Sequence, residues 1–154
     1  MPQTAEPAQF DVPSNSEPVK KRENTRVIEA ANRAEASALL LRLGYRVYRP
    51  EMDVDGEDIA LRTPEGKLIG VQLKGRVHID RQKYGGRGLW MLFPSRQFKR
   101  DVARDWYLIP HDRLYELVAP RHEHLASWIG RWSESFGSWL APKIAEFKLC
   151  WREG

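Results

Sequence analysis

The sequence predicts an α/β domain built around one mixed β-sheet with helices against it. Three observations carry this. Apolar residues recur at three- and four-residue spacing over 25–44, as one face of a helix requires. Short alternating runs follow at 45–50 and on both sides of the turn in "GEDIALRTPEGKLIGVQLKGR" (56–76). Two compact apolar runs, "LWMLF" (89–93) and "WYLIP" (106–110), read as buried strands. The order is helix, three strands, connection, strand, strand, helix, an αβββαβ core around a single sheet. At 154 residues, 42% hydrophobic and 30% charged, the chain suits one compact globular domain.

Residues 1–22 hold Pro2, Pro7, Pro13 and Pro18 and few large apolar side chains, so they read as a flexible tail ahead of a domain spanning 23–154. The first helix places Val27, Ile28, Ala31, Ala34, Ala38 and Leu41 on one face, with Thr25 as its cap and Gly44 as its stop. Glu35 falls inside that apolar face, and Glu29 points the opposite way. "YRVYRP" (45–50) is a first strand, stopped by Pro50. "EMDVDG" (51–56) is a polar loop. Its acids imitate a calcium loop, but Arg62 stands where a bidentate Glu is needed and strands flank it, so that reading is rejected.

The hairpin turns at Pro64, Glu65 and Gly66, and residues 76–88 form a basic, glycine-bearing connection. Ser95–Asp101 suits a short helix, and Asp112 suits the cap of another running to Leu117. Near the C-terminus Leu125, Trp128, Ile129, Trp132 and Phe136 share a helical face, as core or as a subunit contact. His122 and His124 lie two apart and so do not share a helix face, which favours surface or capping roles over metal.

Charge and cysteine content narrow the partners. Twenty-five Lys and Arg against 21 Asp and Glu leave +4, a mild excess compatible with a polyanion. Cys150 is the single cysteine, so neither an intrachain disulfide nor a cysteine zinc site is available, as in a reducing cytoplasm. No apolar run approaches the roughly 18 residues of a membrane span, and no signal pattern opens the chain.

Within the hairpin, the register that buries both apolar sets together pairs Ile59 with Val71 and Leu61 with Ile69. It puts Asp58 opposite Gln72 and Lys74 one diagonal step away, with Gly70 leaving space beside them. An acid, an amide oxygen and an ammonium group thus converge on a face that the fold does not require to be polar. A carboxylate buried at Glu35 needs a partner, and Lys74 or a metal ion are the ones the pattern offers. Two carboxylates and an amide oxygen suit Mg²⁺, which favours hard oxygen ligands and retains waters. A plain solvated hairpin face with an Asp–Lys surface pair is the alternative.

A helix bearing Glu35, a strand headed by Asp58 and a strand ending in Gln72-Leu73-Lys74 resembles the PD-(D/E)XK nuclease superfamily. The Gln-x-Lys form and the layout are similar to archaeal Holliday-junction resolvases and to a group I intron homing endonuclease branch, over about residues 30–118. Gln72 stands where an acid is commoner, and Glu57 where the pattern has proline. The resemblance implies a restriction-endonuclease-like fold and a Mg²⁺-dependent endonuclease (Mn²⁺ as substitute) acting on DNA rather than RNA. It further implies metal held by Asp58, Gln72, the Leu73 carbonyl and Glu35, and Lys74 acting on the nucleophilic water. A homo-oligomer would fit, because cutting two strands takes two sites. A nucleic-acid-binding module with little cleavage, or an interaction protein using its Trp-rich C-terminus, are the alternative functions. Arg76, Arg81, Lys83 and Arg87 in the basic connection are the expected phosphate contacts, with Tyr84 available to stack on a base.

Overall fold

The computed structural model describes residues 21–52 and 57–150. The expected tail lies outside them except for Lys21 and Arg22, and so does most of the acidic loop. Seven strands and four α-helices are described. Helix α1 spans Lys21–Arg42, and strands β1 (Arg46–Tyr48), β2 (Ile59–Arg62) and β3 (Leu68–Leu73) follow. Then come β4 (Val77–Asp80), α2 (Arg81–Tyr84), β5 (Trp90–Pro94) and β6 (Trp106–Pro110). Helix α3 (His111–Val118), β7 (Arg131–Glu134) and α4 (Ala141–Ile144) complete the order.

The main sheet has the order β1-β2-β3-β5-β6. It is antiparallel except for the parallel β3–β5 pair, so it is mixed, as the sequence predicts. The hairpin register is the expected one: Ile59 faces Val71 and Leu61 faces Ile69. Gly66 makes its turn at φ +92°, a conformation glycine adopts without strain.

Alternation along the strands divides the core in two. Ile59, Leu61, Ile69, Val71, Leu92, Trp106 and Leu108 pack beneath Ala36 and Leu40 of α1. Met91, Phe93, Tyr107 and Ile109 project the other way and pack with Val77, Ile79, Leu114 and Trp132. Strands β5 and β6 are therefore covered on both faces, with α1 on one side and β4, β7 and α3 on the other. Fully burying one such aliphatic side chain contributes about 1.5–3 kcal/mol.

Several local expectations are corrected. The buried stripe of α1 runs through Asn32, Ala36 and Leu40, while Val27, Ala34, Ala38 and Leu41 are exposed. Alanines carry little apolar area, so the larger leucines set which side meets the sheet. Because α1 starts at Lys21, Thr25 lies inside it and does not cap it. The basic connection is not loop throughout: β4 forms there and pairs antiparallel with β7, matching Ile79 with Trp132. Trp132 accordingly sits on a strand and not on a helix. Gly130, at φ +79°, breaks any helix just before it. Residues 95–101 form no helix; Ser95 N donates to the Asp105 carbonyl at 2.8 Å and closes a loop. Helix α3 is found where expected, but Asp112 accepts from the Gly86 backbone (3.1 Å) and does not cap it. His122, expected at the surface or as a cap, does end the 3₁₀ turn Ala119–Arg121, its N–H donating to the Ala119 carbonyl at 2.9 Å, and its ring stacks on Trp132 with centroids 5.2 Å apart.

Candidate active site

Asp58 stands immediately before β2, its backbone N–H donating to the Val71 carbonyl at 3.0 Å. Its Oδ2 accepts from Gln72 Nε2 at 2.8 Å and from the Leu73 backbone N–H at 3.0 Å. Two donors on one oxygen fix the carboxylate in place, and charge-assisted bonds of this kind are the stronger ones. The expected Asp58–Gln72 juxtaposition is thus present as a direct hydrogen bond. Gln72 is 7% exposed, and its Oε1 is buried without a hydrogen-bond partner among the described residues. An orphaned buried carbonyl oxygen costs roughly 1–3 kcal/mol, which a ligand there would relieve.

The Lys74 backbone is held to β5 through its N–H to the Leu92 carbonyl, 2.9 Å. Its Nζ lies 5.8 Å from the Tyr84 ring centroid, a cation–π approach. Asp58, Gln72, Leu73 and Lys74 line one cavity of about 460 Å³, to which α1 contributes Glu29, Asn32 and Arg33. Gly75 allows that approach: a Cβ there would come within 3.1 Å of Asn32 Nδ2. Space beside Gly70 is not open, because the Glu57 carboxylate lies across it.

Glu35 is elsewhere. Its partner is not Lys74 but Arg104, which donates through Nη2 to Oε2 at 2.7 Å and through Nε to Oε1 at 3.2 Å. Trp106 Nε1 donates to the same carboxylate at 3.0 Å. Burial pushes the Glu35 carboxyl up, but the bonds from Arg104 and Trp106 and the Arg104 charge outweigh it, leaving the group below its usual range. The physical reason is strand parity. Helix α1 packs on the face that carries Ile59 and Val71, whereas Gln72 is level with Met91 and belongs to the opposite face. Carboxylates from α1 reach the Asp58 cavity only past the strand ends. Among the described residues, Glu29, thought to point away, is the α1 acid that lines it.

Among the four expected phosphate contacts, Arg76 lines a second cavity of about 860 Å³, which shares Glu29, Lys74 and Gly75 with the first. Arg81 lies over the Tyr115 ring at 5.7 Å, and Lys83 over Tyr84 at 5.4 Å. Arg87 is exposed between Gly86 and Gly88, both at positive φ. Sequence reasoning passed over Asn32, Arg33, His78 and Arg131. Of these, only the polar Asn32 at a buried helical position left a trace that periodicity can detect. His78 lines the larger cavity; burial, then the nearby Lys74 charge, pulls its pKa down to about 4.

Among the described residues no group of three or more His, Cys, Asp or Glu gathers to hold an ion. The donor set around Asp58 is one carboxylate, an orphaned amide oxygen and a Glu29 carboxylate on the same cavity. That set fits Mg²⁺, which binds through one or two carboxylates and keeps waters and phosphate oxygens for the rest. No family model matches this chain, and comparison with curated proteins and with solved structures finds no match.

Proposed function

We propose that this chain is a Mg²⁺-dependent endonuclease of the PD-(D/E)XK type, hydrolysing phosphodiester bonds in DNA. One observation carries the reading: Asp58, its carboxylate pinned by Gln72 and the Leu73 N–H, lines one cavity together with Gln72 and Lys74. Asp58 and the Gln72 and Leu73 carbonyl oxygens would hold the ion, with Glu29 in the position that Glu35 was expected to take. When bound, the ion supplies neutralisation of phosphoryl charge and a more acidic water. Asp58, fixed by two donors, orients that centre without reorganising. Lys74 orients the attacking water and stabilises charge building on the phosphoryl oxygens.

A second reading, a nucleic-acid-binding module with little cleavage, draws on Gln72. An amide in place of an acid leaves Asp58 as the only carboxylate that the hairpin gives the cavity, which weakens attraction for a divalent ion. Labelled linear, branched and single-stranded DNA incubated with Mg²⁺, Mn²⁺ or EDTA separates the two. Under the nuclease reading, wild type cuts only with metal, and Asp58→Ala and Lys74→Ala lower the rate by 10²-fold or more, as removal of a charge-stabilising group does. Retained DNA binding with no cutting by any of the three proteins selects the binding module.

A further inference from the structure

The larger cavity runs from the Asp58 site between the N-terminal half of α1 and the β4–β7 pair. Glu29, Lys74 and Gly75 belong to both cavities, so a chain with its phosphodiester at Lys74 continues directly into the groove. Among the described residues, Lys74, Arg76 and Arg131 bring three cations to the lining against the one carboxylate of Glu29. That balance favours an anionic chain over an acidic-residue partner or a neutral ligand.

The same cavity also has apolar lining. Phe98, Ile28 and Ile129 are apolar, and Ile28 and Ile129 are 40% and 76% exposed. Trp132 belongs to the strand that borders the groove, but its indole packs with Ile79 in the core, and the groove meets His78 and Ser133 from the other side of that pair. His78 supplies a ring that is uncharged at neutral pH, because its pKa lies near 4. Cations for phosphate, the Phe98 ring and a neutral imidazole match the parts of a nucleotide.

We infer that this groove seats an unpaired nucleotide next to the scissile phosphate, so that single-stranded or locally unpaired DNA is preferred to continuous duplex. The inference rests on the nuclease reading for its register beside Lys74. A base inside a duplex is stacked and paired on both sides and cannot enter such a pocket without the cost of extrusion, which an unpaired base avoids. Stacking against an aromatic wall then favours any base without demanding a sequence.

The test uses full-length Asp58→Asn protein, which leaves DNA intact, with oligonucleotides carrying 2-aminopurine at successive positions. The expected result is a fluorescence change at one position in single-stranded DNA and in duplex with one unpaired nucleotide, and none in continuous duplex. Phe98→Ala should weaken single-strand binding by about 5-fold or more, the scale of one lost base–aromatic stack. Phe98 also lies 5.4 Å from the Arg104 guanidinium, so exposed Arg131→Ser serves as the second variant and should reduce both affinity and salt dependence. Equal affinity for single strand and duplex, no 2-aminopurine response and neutral variants overturn the inference. Those results together with Asp58-dependent cutting would leave the nuclease reading intact. A position-specific response in a protein that never cuts would instead remove the nuclease reading and keep the pocket.

Discussion

Arg104 shows how a single side chain redirects the reading of the whole helix. Its side chain is fully buried, donates to Glu35, Asn32 and the Arg96 carbonyl, and lies 5.1 Å from the Trp106 ring centroid. Breaking a buried pair leaves a charge without compensation, so Arg104→Ala should destabilise the fold by about 3–5 kcal/mol in denaturant melts. A loss below about 1 kcal/mol would mean water replaces the guanidinium easily. Glu35→Gln should lower stability while leaving the Mg²⁺ concentration dependence of cutting unchanged; a shifted dependence would return Glu35 to the site. His78 gives a pH signature. The unfolded ring takes up a proton near pH 6.5 and the folded one only near 4, so its contribution is complete above 6.5 and declines as pH falls towards 4. The ring is only half-buried, so solvent screening limits the effect to on the order of 1 kcal/mol. Melting temperatures of wild type and His78→Gln from pH 4 to 7 should therefore converge towards the acid end; parallel curves would remove His78 from the pH response. No pattern marked Arg104 or His78 in advance, because each acquires its role from residues far along the chain.

At the scale of elements, the hairpin was legible almost residue for residue. Alternation of period two, with large apolar residues on one side, admits one register, and a slip by one would expose Ile59, Leu61, Ile69 and Val71 together. The α1 helix was legible as a helix but not in its phase, since its many alanines make several faces nearly equal in apolar content. Strands β4 and β7 were missed because each is four residues long and neither has a partner close in sequence. Helix α2 carries two of the expected phosphate contacts, and both are exposed cations resting over aromatic rings. Replacing Arg81 and Lys83 together by Ala should weaken DNA binding and reduce the magnitude of its log–log salt slope by about 1–2. An unchanged slope would take α2 out of the footprint and confine contacts to the groove behind Lys74.

At the scale of the molecule, the two cavities exist because a sheet covered on both faces still leaves its strand ends open between the covering layers. Lys74 and Gly75 follow β3 at such an end, where α1 approaches from one side and β4–β7 from the other. No helix among the described residues is long and apolar enough to cross a membrane. The sequence by itself determined the mixed α/β sheet, the hairpin register and the meeting of Asp58, Gln72 and Lys74. All of these follow from local periodicity and from pairing across one short turn, where few arrangements compete. Only the tertiary structure decided which α1 carboxylate reaches Asp58, what pairs with Glu35, and that a cationic groove with apolar walls opens beside Lys74. Those outcomes depend on which face of the sheet each layer covers and on contacts between residues up to 72 positions apart. Local patterns do not encode such contacts, because long-range packing chooses among helix phases that the sequence leaves nearly equal in energy.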